Sequence, residues 1–96
     1  MFVLICYDVN VQSDDERRRL RKLARQCENH GIRVQNSVFE CVLDPAEWEL
    51  LKSKLTKTIN PDKDSLRFYY LGKKYDTKIE HVGAKTVVKV EGTLIL

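Results

Sequence analysis

No run in this 96-residue chain approaches the ~18 consecutive apolar residues that a membrane span needs, and Phe2–Tyr7 is too short, and lacks the basic flank, to serve as a signal peptide. The expectation is a cytoplasmic protein with no membrane partner. Cysteine is scarce: Cys6, Cys27 and Cys41 are odd in number, lack paired metal-type spacing and have apolar neighbours, which predicts reduced core residues. Neither His30 nor His81 has a Ser, Cys or carboxylate partner at a recognisable motif spacing, which argues against histidine-based nucleophilic catalysis. The chain also lacks a Gly-rich phosphate loop, a zinc-type Cys/His set, a dinucleotide fingerprint and the paired aromatics of an RNA-recognition motif. It shows no internal repeat, low-complexity tract or interdomain linker, so residues 1–96 read as one domain.

What is present is an uneven distribution of charge. The totals, 17 Lys+Arg against 14 Asp+Glu, give only +3. Between Glu16 and Arg33, however, stand Arg17, Arg18, Arg19, Arg21, Lys22, Arg25 and Arg33, opposed only by Glu16 and Glu28. A chain this short buries a modest interior, and pairing with a second copy would add to its stability.

The elements follow from local pattern. Phe2–Tyr7 is a continuous apolar run with β-branched and aromatic members, as expected of a central strand, and it stops at Asp8. Ser13-Asp14-Asp15-Glu16 has capping-box spacing, and Leu20, Leu23, Ala24 and Cys27 then form one helical stripe, with Gly31 as a C-terminal stop. Arg33–Leu43 reads as extended with an interruption at Gln35, Asn36 and Ser37, either one bent strand or two short ones. Asp44-Pro45-Ala46-Glu47 starts a second helix whose buried stripe is Trp48, Leu51, Leu55 and Ile59. Ser65–Leu71 is a strand closed by Gly72, and Ile79–Val82, Thr86–Val90 and Thr93–Leu96 each favour strand. The order strand, helix, strand(s), helix, strand predicts an α+β fold of ferredoxin-like βαββαβ type with extra C-terminal strands. Both helices would lie on one face of the sheet. The other face is open to a second copy, and residues 79–96 could add to that partner's sheet.

Two constellations could carry chemistry. Asp8 ends the apolar strand, where a carboxylate can meet a divalent cation or simply satisfy turn amides. One carboxylate makes a poor magnesium site, but a twofold axis could bring two copies of Asp8 to one ion. The arginines around the first helix read either as a solvated face or as forks for phosphate oxygens, positioning a backbone without reading bases. Ser37 is a possible donor to phosphate, and Phe39 reads as core or as a base-stacking surface.

M-F-V-L-I-C-Y-D-V at the start, the arginine-rich first helix, R-V-Q-N-S-V-F-E-C at 33–41 and D-S-L-R-F-Y-Y-L-G at 64–72 together resemble the CRISPR-associated protein 2 family, the small subunit of the CRISPR adaptation machinery. The resemblance implies a ferredoxin-like homodimer in which the last strand of one subunit pairs with the sheet of the other. It implies a scaffold flanked by dimers of the CRISPR integrase and spanning the DNA to be inserted. It also implies a magnesium-dependent endonuclease, with manganese as the alternative ion, acting on single-stranded RNA, double-stranded DNA or both. By motif, the catalytic and metal-binding residue is Asp8, with Tyr7 beside it. Nucleic-acid contacts fall to Arg17, Arg19 and Arg33, with Arg18 or Arg21 as alternatives in helix register, and Ser37 and Phe39 lie by the site. A non-catalytic adaptor and a toxin-like ribonuclease of the same fold are the competing functions.

Overall fold

The computed structural model describes residues 1–83 and, beyond them, the backbone of Val87–Val88 and Leu94–Ile95. Strand β1 (Phe2–Asp8) runs through the middle of a four-stranded sheet, hydrogen-bonded to β3 (Val38–Val42) on one side and β4 (Ser65–Tyr70) on the other. β2 (Gly31–Gln35) pairs with β3 at the edge, giving the antiparallel order β2-β3-β1-β4. The interrupted segment is thus a hairpin of two strands, with a register shift between Arg33 and Gln35 absorbing the broken alternation.

The helices start where the capping residues predict. Ser13 accepts from the Glu16 amide to begin α1 (Asp14–Glu28), while Glu16 reaches back to the Gln12 amide at 2.9 Å, one residue beyond the box position. Asp44 and Glu47 form the reciprocal box at the start of α2 (Pro45–Thr58), with Pro45 in the first turn. Such a cap contributes about 1 kcal/mol. Gly31 does not stop α1, which ends at Glu28 with Asn29 as its cap. Its glycine is required for close approach instead, because a Cβ there would collide with the Cys41 thiol and the Glu40 carbonyl of the neighbouring strand. Gly72 follows β4 with φ +78°, in the left-handed region that glycine tolerates.

Strand alternation decides the layers. Val3, Ile5 and Tyr7 of β1 and Phe39 and Cys41 of β3 meet Leu23 and Cys27 of α1 and Trp48, Leu51 and Leu55 of α2 in one buried core. Trp48 packs edge-on against Phe68 at 4.8 Å between centroids. By register, Leu4, Cys6 and Asp8, with Val38, Glu40, Val42, Arg67 and Tyr69, occupy the opposite, open face. Leu4, Cys6, Val38 and Val42 are only half-buried there. Phe2, on the same side, is covered by Tyr75 of a short 3-10 turn (Tyr75–Lys78), stacked at 4.5 Å.

The expected strand at Ile79–Val82 does not form: those residues are exposed and irregular. Among the described residues no strand pairs with them, and β propensity alone does not order them as strand. β5 (Val87–Val88) and β6 (Leu94–Ile95) pair antiparallel within the two expected late strands, whose other residues lie outside the described ones. No disulfide links the cysteines, and no helix among the described residues is long and apolar enough to cross a membrane.

Candidate nucleic-acid and metal site

Asp8 is the last residue of β1, exposed on the open face and opposite Ser65, the first residue of β4. The preceding residue points the other way. Tyr7 is buried, its amide donates to the Ser37 carbonyl at 3.1 Å and its hydroxyl to the Asn36 carbonyl at 3.4 Å. Burial, outweighing the nearby Arg33, pushes the Tyr7 phenol above its ordinary value, so it stays a neutral donor. The β2–β3 turn is thereby tied to the end of β1, and Ser37 lies beside the strand end that presents Asp8.

Beneath this corner sits a layered stack. Phe39 lies 6.1 Å from the Tyr7 ring, and the Arg33 guanidinium covers it at 5.1 Å from its centroid. Arg33 also pairs with Glu28 at 2.9 Å, yet its side chain is 42% exposed, enough to reach a phosphate at the sheet edge. Phe39 is fully buried between sheet and helices, and it therefore serves as core with no free face for a base.

The two expected contact arginines of α1 separate in role. Arg17 is exposed and, among the described residues, its guanidinium pairs only with Asp14 at 3.1 Å, an ion pair easily exchanged for phosphate. Arg19 is mostly covered and forks onto the buried Asp64 carboxylate, at 2.8 Å through Nε and 3.2 Å through its second nitrogen. Burial alone would push Asp64 up, but the Arg19 fork and the amides of Asn60 and Asn10 outweigh it and hold the carboxyl below its ordinary value. The pair clamps the residue just before Ser65 and hence the strand end opposite Asp8. It positions the corner, and the guanidinium is not free for a backbone.

Asn36, Ser65 and Asp64 were absent from the sequence-based candidates. Asn36 and Ser65 act through main-chain position, and Asp64 meets Arg19 across 45 positions, so spacing along the chain does not reveal these roles even though all three lie in the segments 33–41 and 64–72 that carry the resemblance. The buried thiols are excluded as nucleophiles: burial first, then neighbouring charge, pushes Cys27 up to about 12 and Cys41 up to about 11. Among the described residues no three His, Cys, Asp or Glu side chains converge. One chain therefore offers a lone carboxylate, a hard oxygen donor reachable from solvent. That suits a magnesium ion that keeps most of its waters and takes one or two carboxylates.

Residues 1–79 match the family model described as CRISPR associated protein Cas2. The chain belongs to the Cas2 family. A relative from Chlorobaculum tepidum, named CRISPR-associated endoribonuclease Cas2, is 54% identical over 96 residues, covering 100% of both chains. The crystal structure of Streptococcus pyogenes Cas2 superposes with a TM-score of 0.77 at 48% identity, over 86% of this Cas2-family chain and 100% of that one. A chain in a structure titled as a partial Cas6-RT-Cas1–Cas2 complex matches with a TM-score of 0.61 at 32% identity, over 98% of this chain and 94% of that one.

Proposed function

We propose that the protein is a metal-dependent endonuclease of CRISPR adaptation that works as a homodimer and bridges integrase subunits and spacer DNA. The observation that carries the reading is the exposed Asp8 carboxylate at the end of the central strand, on the sheet face opposite α1 and α2. Pairing two such faces buries Leu4, Val38 and Val42 and brings one Asp8 from each chain toward the axis. The two carboxylates would hold magnesium, or manganese in its place. When bound, the ion supplies Lewis-acid polarisation of a phosphodiester oxygen.

The chain's own residues do the rest. Arg17 and Arg33, both exposed, neutralise backbone phosphates, and Tyr7 with the 36–37 turn fixes where Asp8 emerges. The name of the relative supports RNA as a substrate and the complex supports an integrase partner. Purified Asp8→Asn protein is expected to lose cleavage of single-stranded RNA and double-stranded DNA while remaining a folded dimer. Undiminished cutting would overturn the assignment.

A non-catalytic adaptor is favoured by a different observation. Arg21 and Arg25 on α1 are exposed and make no ion pair among the described residues. If bridging is the main work, reversing charge at Arg21 and Arg25 abolishes spacer acquisition while Asp8→Asn preserves it. Acquisition that ignores those arginines would sink that account.

A further inference from the structure

A second cationic feature lies on the helical side of the sheet, away from Asp8. α1 and α2 run side by side there, tied by the Gln26 amide donating to the Thr58 hydroxyl at 3.1 Å. Outside that tie opens a shallow groove of about 420 Å³, lined by Asp15, Arg18, Arg19, Lys22, Lys57 and Thr58. Its charges are unequally satisfied. Arg19 is taken up by Asp64, and Arg18 leans on Asp15 at 3.5 Å in an exposed pair. Lys22, from α1, and Lys57, from the last turn of α2, have no ion pair among the described residues. Two unpaired ammonium groups on neighbouring helices repel one another, and an anion between them would remove that cost.

The geometry points to this groove as a second phosphate-binding site, in which Arg18, Lys22 and Lys57 grip a phosphodiester backbone on the face opposite Asp8. Four of the six lining residues are cationic and one is anionic, so the groove is complementary in charge to a phosphodiester backbone. Arg18 supplies a planar fork and the lysines supply mobile point charges, a combination that holds backbone without reading sequence. The inference rests on the reading that the protein binds nucleic acid and assigns that binding to a surface left free when two open sheet faces pair. A strand held here is distant from the carboxylate of the same chain. The groove therefore contributes to scaffolding and leaves hydrolysis to the other face.

The test is salt-dependent binding of the full chain to fluorescent duplex DNA and to single-stranded RNA of the same length. Each lysine lost should lower the slope of log affinity against log salt by about 0.9 on duplex and about 0.7 on single strand. Lys22→Ala/Lys57→Ala is expected to show both losses together at an unchanged unfolding midpoint, and Lys22→Arg/Lys57→Arg to restore the wild-type slope. A reduction on one nucleic acid alone identifies that one as the ligand. Wild-type slopes in the alanine double variant on both probes would overturn the groove while leaving nucleic-acid binding elsewhere intact. Failure of the wild-type protein to bind either probe at low salt would overturn the groove together with the reading beneath it.

Discussion

Replacing Arg19 by alanine removes both nitrogens that fork onto Asp64 and leaves a fully covered carboxylate facing only main-chain amides. Breaking a buried ion pair from one side costs about 3–5 kcal/mol. The Asn60 amide that stays on Asp64 and the partial exposure of Arg19 place this substitution near the lower end, about 3 kcal/mol. For a domain of this size each kcal/mol moves the unfolding midpoint by about 4–8 °C, so a fall of about 12–24 °C is expected at neutral pH by thermal unfolding. The pH dependence carries the same signature. Asp64 has a folded value held below its unfolded one, so its contribution is full above about pH 4 and is lost as the pH falls through the depressed value. The gap between wild type and variant should therefore narrow on acidification below about pH 4. A midpoint within 2–3 °C of wild type, or a gap that ignores pH, would refute the positioning role and return Arg19 to the pool of free phosphate contacts.

Arg17→Ala supplies the contrast: its partner is an exposed Asp14, so stability should change by less than about 0.5 kcal/mol while nucleic-acid affinity falls, readable by unfolding and binding titrations. Gly31→Ala should destabilise by about 1–3 kcal/mol in denaturant titration, because the new methyl meets the Cys41 thiol and a carbonyl in an adjacent strand; an unchanged midpoint would contradict the close packing of β2 on β3. Glu40 stands half-buried on the open face, and burial pushes its carboxyl up. A raised folded value means its stabilising contribution is present below the unfolded value near pH 4 and is lost as pH rises through the folded value, so Glu40→Gln should gain thermal stability over wild type as pH rises from about 4 through that raised value and keep the gain above it. A difference that stays constant with pH would speak against that burial.

The parts of the fold that could be read from sequence are those set by neighbours along the chain. The Phe2–Tyr7 run, the Ser13 cap and the Asp44-Pro45-Glu47 box each act within a few residues, and each element starts where they place it. Where tertiary contact decides, the pattern falls short. The stretch around Gln35 was ambiguous because a register shift in β2 breaks the alternation that marks a strand. Gly31 looks like a helix stop until Cys41, ten positions on, shows why it lacks a side chain. Asp8 was legible as a strand-terminal carboxylate, and its exposure on the open face accords with that. The arginines were legible as a set, but which of them is committed depends on Asp64, which periodicity along α1 cannot reveal.

The central claim is that one Asp8 from each chain builds the cutting site, and subunit mixing tests it most directly. Wild-type and Asp8→Asn chains are unfolded together, refolded at graded ratios and assayed for cleavage at constant total protein. If both carboxylates are needed, activity falls as the square of the wild-type fraction, since only dimers of two wild-type chains cut. Activity that falls in direct proportion to the wild-type fraction would show that each chain cuts alone and would contradict the shared site.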